Sequence, residues 1–208
     1  MQQRQVGILI FDDVEVLDFA GPFEVFSVAG QTDGIDPFNV FTVAPGKQKP
    51  VLARNGLSIN ADFMVGDCPP VDILVVPGGY GTRPLLNDSE LLDWIRARSS
   101  QAELTLSVCT GALLLAKAGL LQGLGATTHH AAVDELRELA QGSDIYPDHR
   151  IVDNGNMILA AGISSGIDMA LYVVARLLDQ GVAERTAAYM EYRLPEDLDE
   201  MAVKTIRG

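Results

Sequence analysis

The chain has 208 residues and a formal net charge of −13, with 48% hydrophobic and 21% charged residues. This length and balance predict one folded domain over residues 1–208 and argue against disorder. The 15 Lys and Arg residues are few for contacts to phosphates, so we expect no nucleic-acid partner. No apolar stretch approaches the ~20 residues of a membrane span and no signal-peptide pattern is present, so we expect a cytoplasmic protein that does not bind membranes.

The predicted elements alternate between strands and helices along the chain. Apolar runs predict strands at residues 6–11, 38–43, 72–76, 104–108, 150–153 and 157–161. Helix-forming segments cover residues 16–29, 89–99, 112–119, 162–179 and 182–192. Pro22 is expected near the start of the first helix and Asp88 at the N-cap of the second. Arg54-Asn55-Gly56 predicts a hairpin or a turn, and Asn154-Gly155 predicts a hairpin. This alternation predicts an α/β fold with a mostly parallel sheet covered on both faces.

The junction at Cys109 is the most informative motif. A short strand ends at Val108 and a helix begins a few residues later, with Gly111 between them. A side chain on such a sharp turn projects from the carboxyl end of the sheet, beside the free N–H groups of the helix. Since these groups favour a thiolate over a thiol, the pattern predicts an acidic, nucleophilic Cys109.

A buried, inert cysteine is the alternative interpretation, because free cysteines commonly behave as small hydrophobic residues. The position of Cys109 on the turn favours the nucleophile. Cys68 provides a contrast, since it lies in the sequence Gly66-Asp67-Cys68-Pro69-Pro70. We expect Cys68 in a loop or at its edge, without a chemical role.

Three further positions follow predicted strands and are expected near Cys109, because ligands in such folds bind beyond the carboxyl ends of the strands. Asp18 lies among apolar neighbours and suits a general acid and base, although it would also suit a simple helix cap. Gly78 and Gly79 permit a close backbone approach, so their N–H groups are candidates to stabilise an anion, or they form a plain tight turn.

Histidine is scarce in this chain. His129 and His130 are adjacent, so at most one of them should face the site. His149 follows Pro147-Asp148 and is expected in a loop. This pattern does not favour a metal site, and we expect no metal and no cofactor.

The order of these motifs resembles the ThiJ/PfpI branch of the class I glutamine amidotransferase-like superfamily. The resemblance runs from about residue 6 to Tyr192 and is carried by Leu17-Asp18-Phe19-Ala20-Gly21-Pro22, Pro77-Gly78-Gly79 and Ser107-Val108-Cys109-Thr110-Gly111-Ala112. Within that branch, Ala126-Thr127-Thr128-His129 and Gly162-Ile163-Ser164-Ser165-Gly166-Ile167-Asp168 look like the same stretches of bacterial isocyanide hydratases. The amidase-like domains of AraC-type regulators are also similar around Cys109.

The resemblance implies a flavodoxin-like three-layer sandwich, usually a homodimer, that acts on a small-molecule substrate. In isocyanide hydratases a thiolate attacks the isocyanide carbon, and water releases an N-substituted formamide from the thioimidate. By this likeness Cys109 is the nucleophile and Asp18 the acid and base. Thr110 and Ile163 line the site or contribute N–H groups, and His129 is a further candidate in the substrate site.

The chain differs from other branches of the superfamily at two positions, and two functions other than hydration remain open. Protease-like members have His directly after the cysteine, where this chain has Thr110, and the oxidation-sensing branch has Glu where this chain has Asp18. The residues after Tyr192 are too few and too acidic for a helix-turn-helix, so we expect no DNA-binding domain. A ligand or redox sensor without turnover, and another small-molecule hydrolase or glyoxalase, are the alternatives to hydration.

Overall fold

A computed structural model describes residues 3–46, 50–194 and 202–205 of the chain. Its strands are Arg4–Leu9 (β1), Phe38–Ala44 (β2), Val51–Leu52 (β3), Ser58–Ile59 (β4), Phe63–Met64 (β5), Ile73–Val76 (β6), Leu104–Val108 (β7), Gly125–Ala126 (β8), Asp144–Ile145 (β9), Ile151–Asp153 (β10), Met157–Ala160 (β11) and Ala202–Lys204 (β12). Its α-helices are Val16–Val28 (α1), Thr82–Leu85 (α2), Ser89–Gln101 (α3), Gly111–Lys117 (α4), Val133–Leu139 (α5), Ser165–Leu177 (α6) and Gln180–Tyr189 (α7).

The centre is a mostly parallel sheet in the order β12-β10-β11-β7-β6-β1-β2-β5. Its neighbouring strands pair in parallel except β10 and β11, which form an antiparallel hairpin across Asn154 and Gly155. The helices form two packed groups, α1 with α6 and α7, and α4 with α2, α3 and α5. This arrangement confirms the predicted flavodoxin-like α/β fold.

The central strands are buried on both faces because their sequences are unbroken apolar runs. β6 and β7 are buried at every position, and β1 is buried over its last four residues. β7 lies between β6 and β11, so the residue after Val108 emerges in the middle of the carboxyl edge. The sheet order therefore places Cys109 next to the segments that follow β6 and β11.

Some of the predicted helix starts and caps agree with the structure, and others are wrong. Asp88 caps α3 by accepting a hydrogen bond from the Leu91 N–H group, as expected. Pro22, expected near the start of its helix, lies in the middle of α1. The helix predicted from residue 162 begins at Ser165, so residues 162–164 form a turn. The short helices α2 and α5 were not predicted, and the acidic stretch 195–200 lies outside the described residues.

Candidate active site

The turn after β7 is the predicted nucleophile elbow. Cys109 adopts a φ of 57°, in the left-handed region that is sparsely populated by residues other than glycine. Its N–H group donates to the carbonyl oxygens of Ala160 at 3.1 Å and Ala161 at 2.7 Å. Its own carbonyl accepts a hydrogen bond from the Thr128 hydroxyl at 2.8 Å. Both backbone groups of the strained residue are therefore held by neighbouring segments.

Two glycines allow the end of β6 to touch this elbow. A Cβ atom at Gly111 would lie 2.0 Å from the Val76 carbonyl oxygen. A Cβ atom at Gly78 would lie 2.4 Å from the Thr110 nitrogen and 2.9 Å from Oδ2 of Asp18. Both distances are far shorter than van der Waals contact, so any larger residue would separate β6 from the elbow.

Asp18 is fully buried in the first turn of α1. Its Oδ2 atom accepts a hydrogen bond from the Gly78 N–H group at 3.0 Å. The carboxyl group also lies within hydrogen-bonding range of the Cys109 thiol, although Oδ1 has no well-aligned partner. The N-cap of α1 is Glu15, so the alternative of Asp18 as a simple helix cap is wrong.

The electrostatics of this pair differ from the prediction of an acidic thiol. Burial raises the pKa of Asp18 from 3.8 to about 7, against the lowering effects of the Cys109 and Gly78 hydrogen bonds. Burial, together with the neighbouring Asp18 charge, raises the pKa of the Cys109 thiol from 9.0 to about 12. The expected acidic thiol is wrong because desolvation and a carboxylate outweigh a helix of seven residues. Near neutral pH the sulfur keeps its proton beside a carboxyl group that is poised to exchange one.

Hydrogen bonds to the sulfur come from two backbone N–H groups. The N–H groups of Thr110 and Ile163 donate to Cys109 and lower the pKa of its thiol. Ile163 has a φ of 38°, which is a conformational outlier for a β-branched residue. The turn at 162–164, which replaces the predicted start of α6, therefore brings a strained residue to the thiol.

The expectation that the Gly78 and Gly79 N–H groups face an anion is wrong. Gly78 donates to Asp18, and Gly79 donates to the Thr110 hydroxyl at 2.9 Å. The Thr82 hydroxyl in turn donates to the Gly79 carbonyl oxygen at 2.8 Å. Because these N–H groups are occupied within the protein, they orient Asp18 and Thr110 instead of binding a ligand.

A cavity of about 360 Å³ opens over the thiol. Its lining consists of Glu15, Gly79, Tyr80, Arg83, Cys109, Thr110, His129, Ala131, Ala132 and Ile163. A second cavity of about 520 Å³ shares His129 and Ile163 with the first and is also lined by His130. Of the two adjacent histidines only His129 lines the cavity at Cys109, as predicted.

His129 lies at the wall between the two cavities. Its Nδ1 atom accepts a hydrogen bond from the Ala131 N–H group at 3.2 Å, which leaves Nε2 to carry the proton of the neutral ring. Burial lowers the pKa of the imidazole, and the neighbouring His130 and Arg83 lower it further. The ring packs against Gly162, where a Cβ atom would lie 2.7 Å from Cδ2. His129 is therefore a neutral N–H donor near the thiol.

Glu15, Tyr80 and Arg83 line the cavity and were missed by the sequence analysis. Tyr80 and Arg83 follow β6 at the same edge as Cys109, so the rule that sites form at the carboxyl ends of strands would have included them. Arg83 pairs with Glu135 at 2.8 Å and donates to the Gly79 carbonyl oxygen at 3.3 Å. These contacts fix the guanidinium at the rim of the cavity.

Cys68 and His149 both lie in loops, as the sequence predicts. Cys68 is buried, with its thiol 3.3 Å from the Pro69 carbonyl oxygen, and His149 lies beside the second cavity. Within the described residues, no group of three or more His, Cys, Asp or Glu side chains is arranged to hold a metal ion. No helix in that same part of the chain is long and apolar enough to cross a membrane.

The fold and the site define an α/β protein with a nucleophile elbow and a buried carboxyl–thiol pair. The model of the DJ-1/PfpI family matches residues 4–176. The chain belongs to the DJ-1/PfpI family.

Two relatives whose names state a role differ in what they do. The isonitrile hydratase of Pseudomonas putida is 38% identical over 188 residues, which cover 90% of this chain and 78% of that enzyme. The HTH-type transcriptional regulator GbdR of Pseudomonas aeruginosa is 27% identical over 178 residues, which cover 83% of this chain and 46% of the regulator. The family resemblance thus reaches both an enzyme and part of a regulator.

Solved structures support the fold. A ThiJ/PfpI family protein from Pseudomonas syringae superimposes with a TM-score of 0.82 and 32% identity, covering 95% of this chain and 78% of that one. Drosophila melanogaster DJ-1beta superimposes with a TM-score of 0.78 and 20% identity, covering 92% of this chain and all of that one. The second likeness concerns the fold alone.

Proposed function

We propose that this protein hydrates an isocyanide to an N-substituted formamide, with Cys109 as nucleophile and Asp18 as acid and base. The observation that carries the proposal is the buried pair of the Asp18 carboxyl and the Cys109 thiol beneath the cavity. The 38% identity to an isonitrile hydratase over most of both chains supports the same chemistry.

In the first half of the proposed reaction the thiol adds to the isocyanide carbon. As the sulfur forms its bond to carbon, the thiol proton passes to the Asp18 carboxylate. Asp18 then delivers that proton to the same carbon, which gives a thioimidate, R–N=CH–S–Cys109. No other acid is required, because the proton lost by sulfur is the proton gained by carbon.

In the second half water attacks the thioimidate carbon. Asp18 takes a proton from the attacking water and passes it to the imine nitrogen, and it then takes the remaining hydroxyl proton as the tetrahedral adduct collapses. Collapse of the tetrahedral adduct breaks the carbon–sulfur bond and releases the formamide, R–NH–CHO. The sulfur recovers its proton from Asp18, so the sum of both halves is the addition of one water to the isocyanide.

The raised pKa of Asp18, about 7, suits this double role, because a general acid and base works best when its pKa is near the working pH. The N–H groups of Thr110 and Ile163 would stabilise negative charge on sulfur when it is formed and released. The Nε2–H group of His129 is a candidate donor to the substrate nitrogen. Gly78 and Gly79 support the site through their contacts to Asp18 and Thr110.

A turnover assay with one alkyl and one aryl isocyanide tests the proposal. Formamide, measured by chromatography and mass spectrometry, should form with the parent protein and be absent with Cys109→Ala. Cys68→Ala is the matched control, since it removes the other buried thiol, and it should keep full activity. Equal formamide from the parent and Cys109→Ala would refute the proposal.

The likeness to part of a transcriptional regulator favours a second candidate, a sensor in which Cys109 is modified without turnover. Such a protein would form a stable adduct and release no formamide. A small-molecule hydrolase or glyoxalase would instead turn over amides or dicarbonyls and leave isocyanides untouched. A single domain over residues 1–208, a homodimer and a cytoplasmic location remain predictions that accompany the proposed enzyme.

A further inference from the structure

A partly buried cluster of charged and polar side chains lies next to the strained turn at Ile163. Asp168, buried in the first turn of α6, pairs with Arg150 through Nε at 3.0 Å and through Nη2. The Tyr192 hydroxyl donates to the other carboxylate oxygen of Asp168 at 2.8 Å. This cluster, defined here as the Asp168 cluster, ties α6 to the residues before β10 and after α7.

Arg150 also holds the turn on both sides of Ile163. Its backbone carbonyl accepts a hydrogen bond from the Ala161 N–H group at 2.9 Å. Its side chain donates to the Ser164 hydroxyl at 3.3 Å. The segment between these two attachments contains the φ of 38° at Ile163, a conformation that persists only when surrounding contacts over-determine it.

We propose that Arg150, Asp168 and Tyr192 are positioning residues that hold the Ile163 N–H group against the sulfur of Cys109. The inference rests on the proposed role of Cys109 as a nucleophile, since that role gives the N–H contact its purpose. None of the three side chains lines the cavity at the thiol together with Cys109. Their effect on chemistry therefore passes through the turn.

The chain contains a matched cluster that serves as a control. Asp153 is buried, accepts a hydrogen bond from the Tyr172 hydroxyl at 2.7 Å and pairs with Arg176 at 3.2 Å. Asp153 aligns with Ile158 in the hairpin, whereas Ile151 aligns with Ala160 at the end next to the elbow. The Asp153 cluster therefore has the same chemistry but lies toward the far end of α6.

The experiment measures alkylation of Cys109 by iodoacetamide at pH 8, followed at the Cys109 peptide by mass spectrometry. Below the thiol pKa this rate follows the thiolate fraction, so a rise of one pH unit in that pKa lowers the rate about tenfold. Arg150→Gln should lower the rate by about that factor, and Tyr192→Phe by a smaller one. Hydrogen exchange at the Ile163 amide should quicken in the same variants.

Arg176→Gln and Tyr172→Phe, the control changes, should leave both the alkylation rate and the Ile163 exchange within about twofold of the parent. An Ile163→Gly background should reduce the effect of Arg150→Gln, because glycine adopts positive φ without strain. Equal losses in the Arg150 and Arg176 variants, or no loss in Arg150→Gln, would overturn the proposal. If Arg150→Gln does not fold, Tyr192→Phe, which removes one hydroxyl, is compared with Tyr172→Phe instead. A lower alkylation rate in Tyr192→Phe alone would support the proposal, and equal rates in the two variants would overturn it. Since no isocyanide is used, failure of the proposed hydratase function would not alter the result.

Discussion

Asp18→Asn should make the fold more stable in alkaline solution while it removes the proton carrier. In the folded state the pKa of Asp18 is about 7, well above its ordinary value of 3.8. The folded protein therefore binds this proton more tightly than the unfolded chain does. The resulting stability is fully present below pH 3.8 and is lost as the pH rises through about 7.

The magnitude follows from the size of that pKa difference. With about 1.4 kcal/mol for each pH unit, the ionised Asp18 costs the fold up to about 4 kcal/mol at pH 8. Asparagine keeps an oxygen for the Gly78 N–H group, but it places an unpaired amide near the thiol at a cost of about 1–3 kcal/mol. The variant should therefore be about 1–3 kcal/mol more stable than the parent at pH 8 and less stable at pH 4.

Urea unfolding at pH 4, 6 and 8, followed by circular dichroism, gives these free energies. Asp72→Asn is a comparison variant, because Asp72 also accepts a backbone N–H group, from Gln5 at 2.8 Å, but lies partly exposed immediately before β6. A stability difference between Asp18→Asn and the parent that is the same at all three pH values would refute the raised pKa.

Three more predictions concern activity and packing. Asp18→Asn should lower isocyanide turnover by about 10²-fold or more, with Asp18→Glu less impaired because it retains a titratable group; equal activity of parent and Asp18→Asn would contradict this role. The kcat/KM of the parent should rise with pH around an apparent pKa of about 7, as Asp18 becomes able to accept the thiol proton, and a flat profile from pH 5 to 9 would count against it. Gly78→Ala should abolish activity and lower the melting temperature, since its Cβ would lie 2.4 Å from the Thr110 nitrogen, whereas Gly66→Ala, with no atom within 4 Å of its Cβ position, should change neither.

The parts of the site that the sequence predicts are those determined by neighbouring residues. The apolar strand before Cys109 and the glycine at position 111 specify the elbow, and the order of strands specifies that Asp18 and Gly78 lie at the same edge. The alternation of apolar runs and helix formers likewise predicted the sheet and its two groups of helices. The elbow and each separate strand or helix are encoded within a window of about ten residues.

The sequence-based predictions are wrong where contacts between distant segments determine the structure or the pKa of a residue. The pKa of the Cys109 thiol depends on burial by α1, β6 and the turn before α6, which no local pattern reports. The position of Cys109 before a helix N-terminus therefore predicted a lowered thiol pKa, whereas the pKa is raised. The Gly78 and Gly79 N–H groups looked free in the sequence because their partners, Asp18 and Thr110, lie 60 and 31 residues away. The helix predicted from residue 162 included the turn at Ile163, because the positive φ of this residue is imposed by contacts with other segments and has no signal in the local sequence.

The central claim is that Cys109 forms a covalent thioimidate on the path to formamide. Intact-mass and peptide mass spectrometry of the parent protein, mixed with an excess of an aryl isocyanide and quenched at short times, test this most directly. We expect an added mass equal to one isocyanide, located on the Cys109 peptide and absent from Cys109→Ala. Formamide production by the parent with no such adduct on Cys109 at any time would contradict the account.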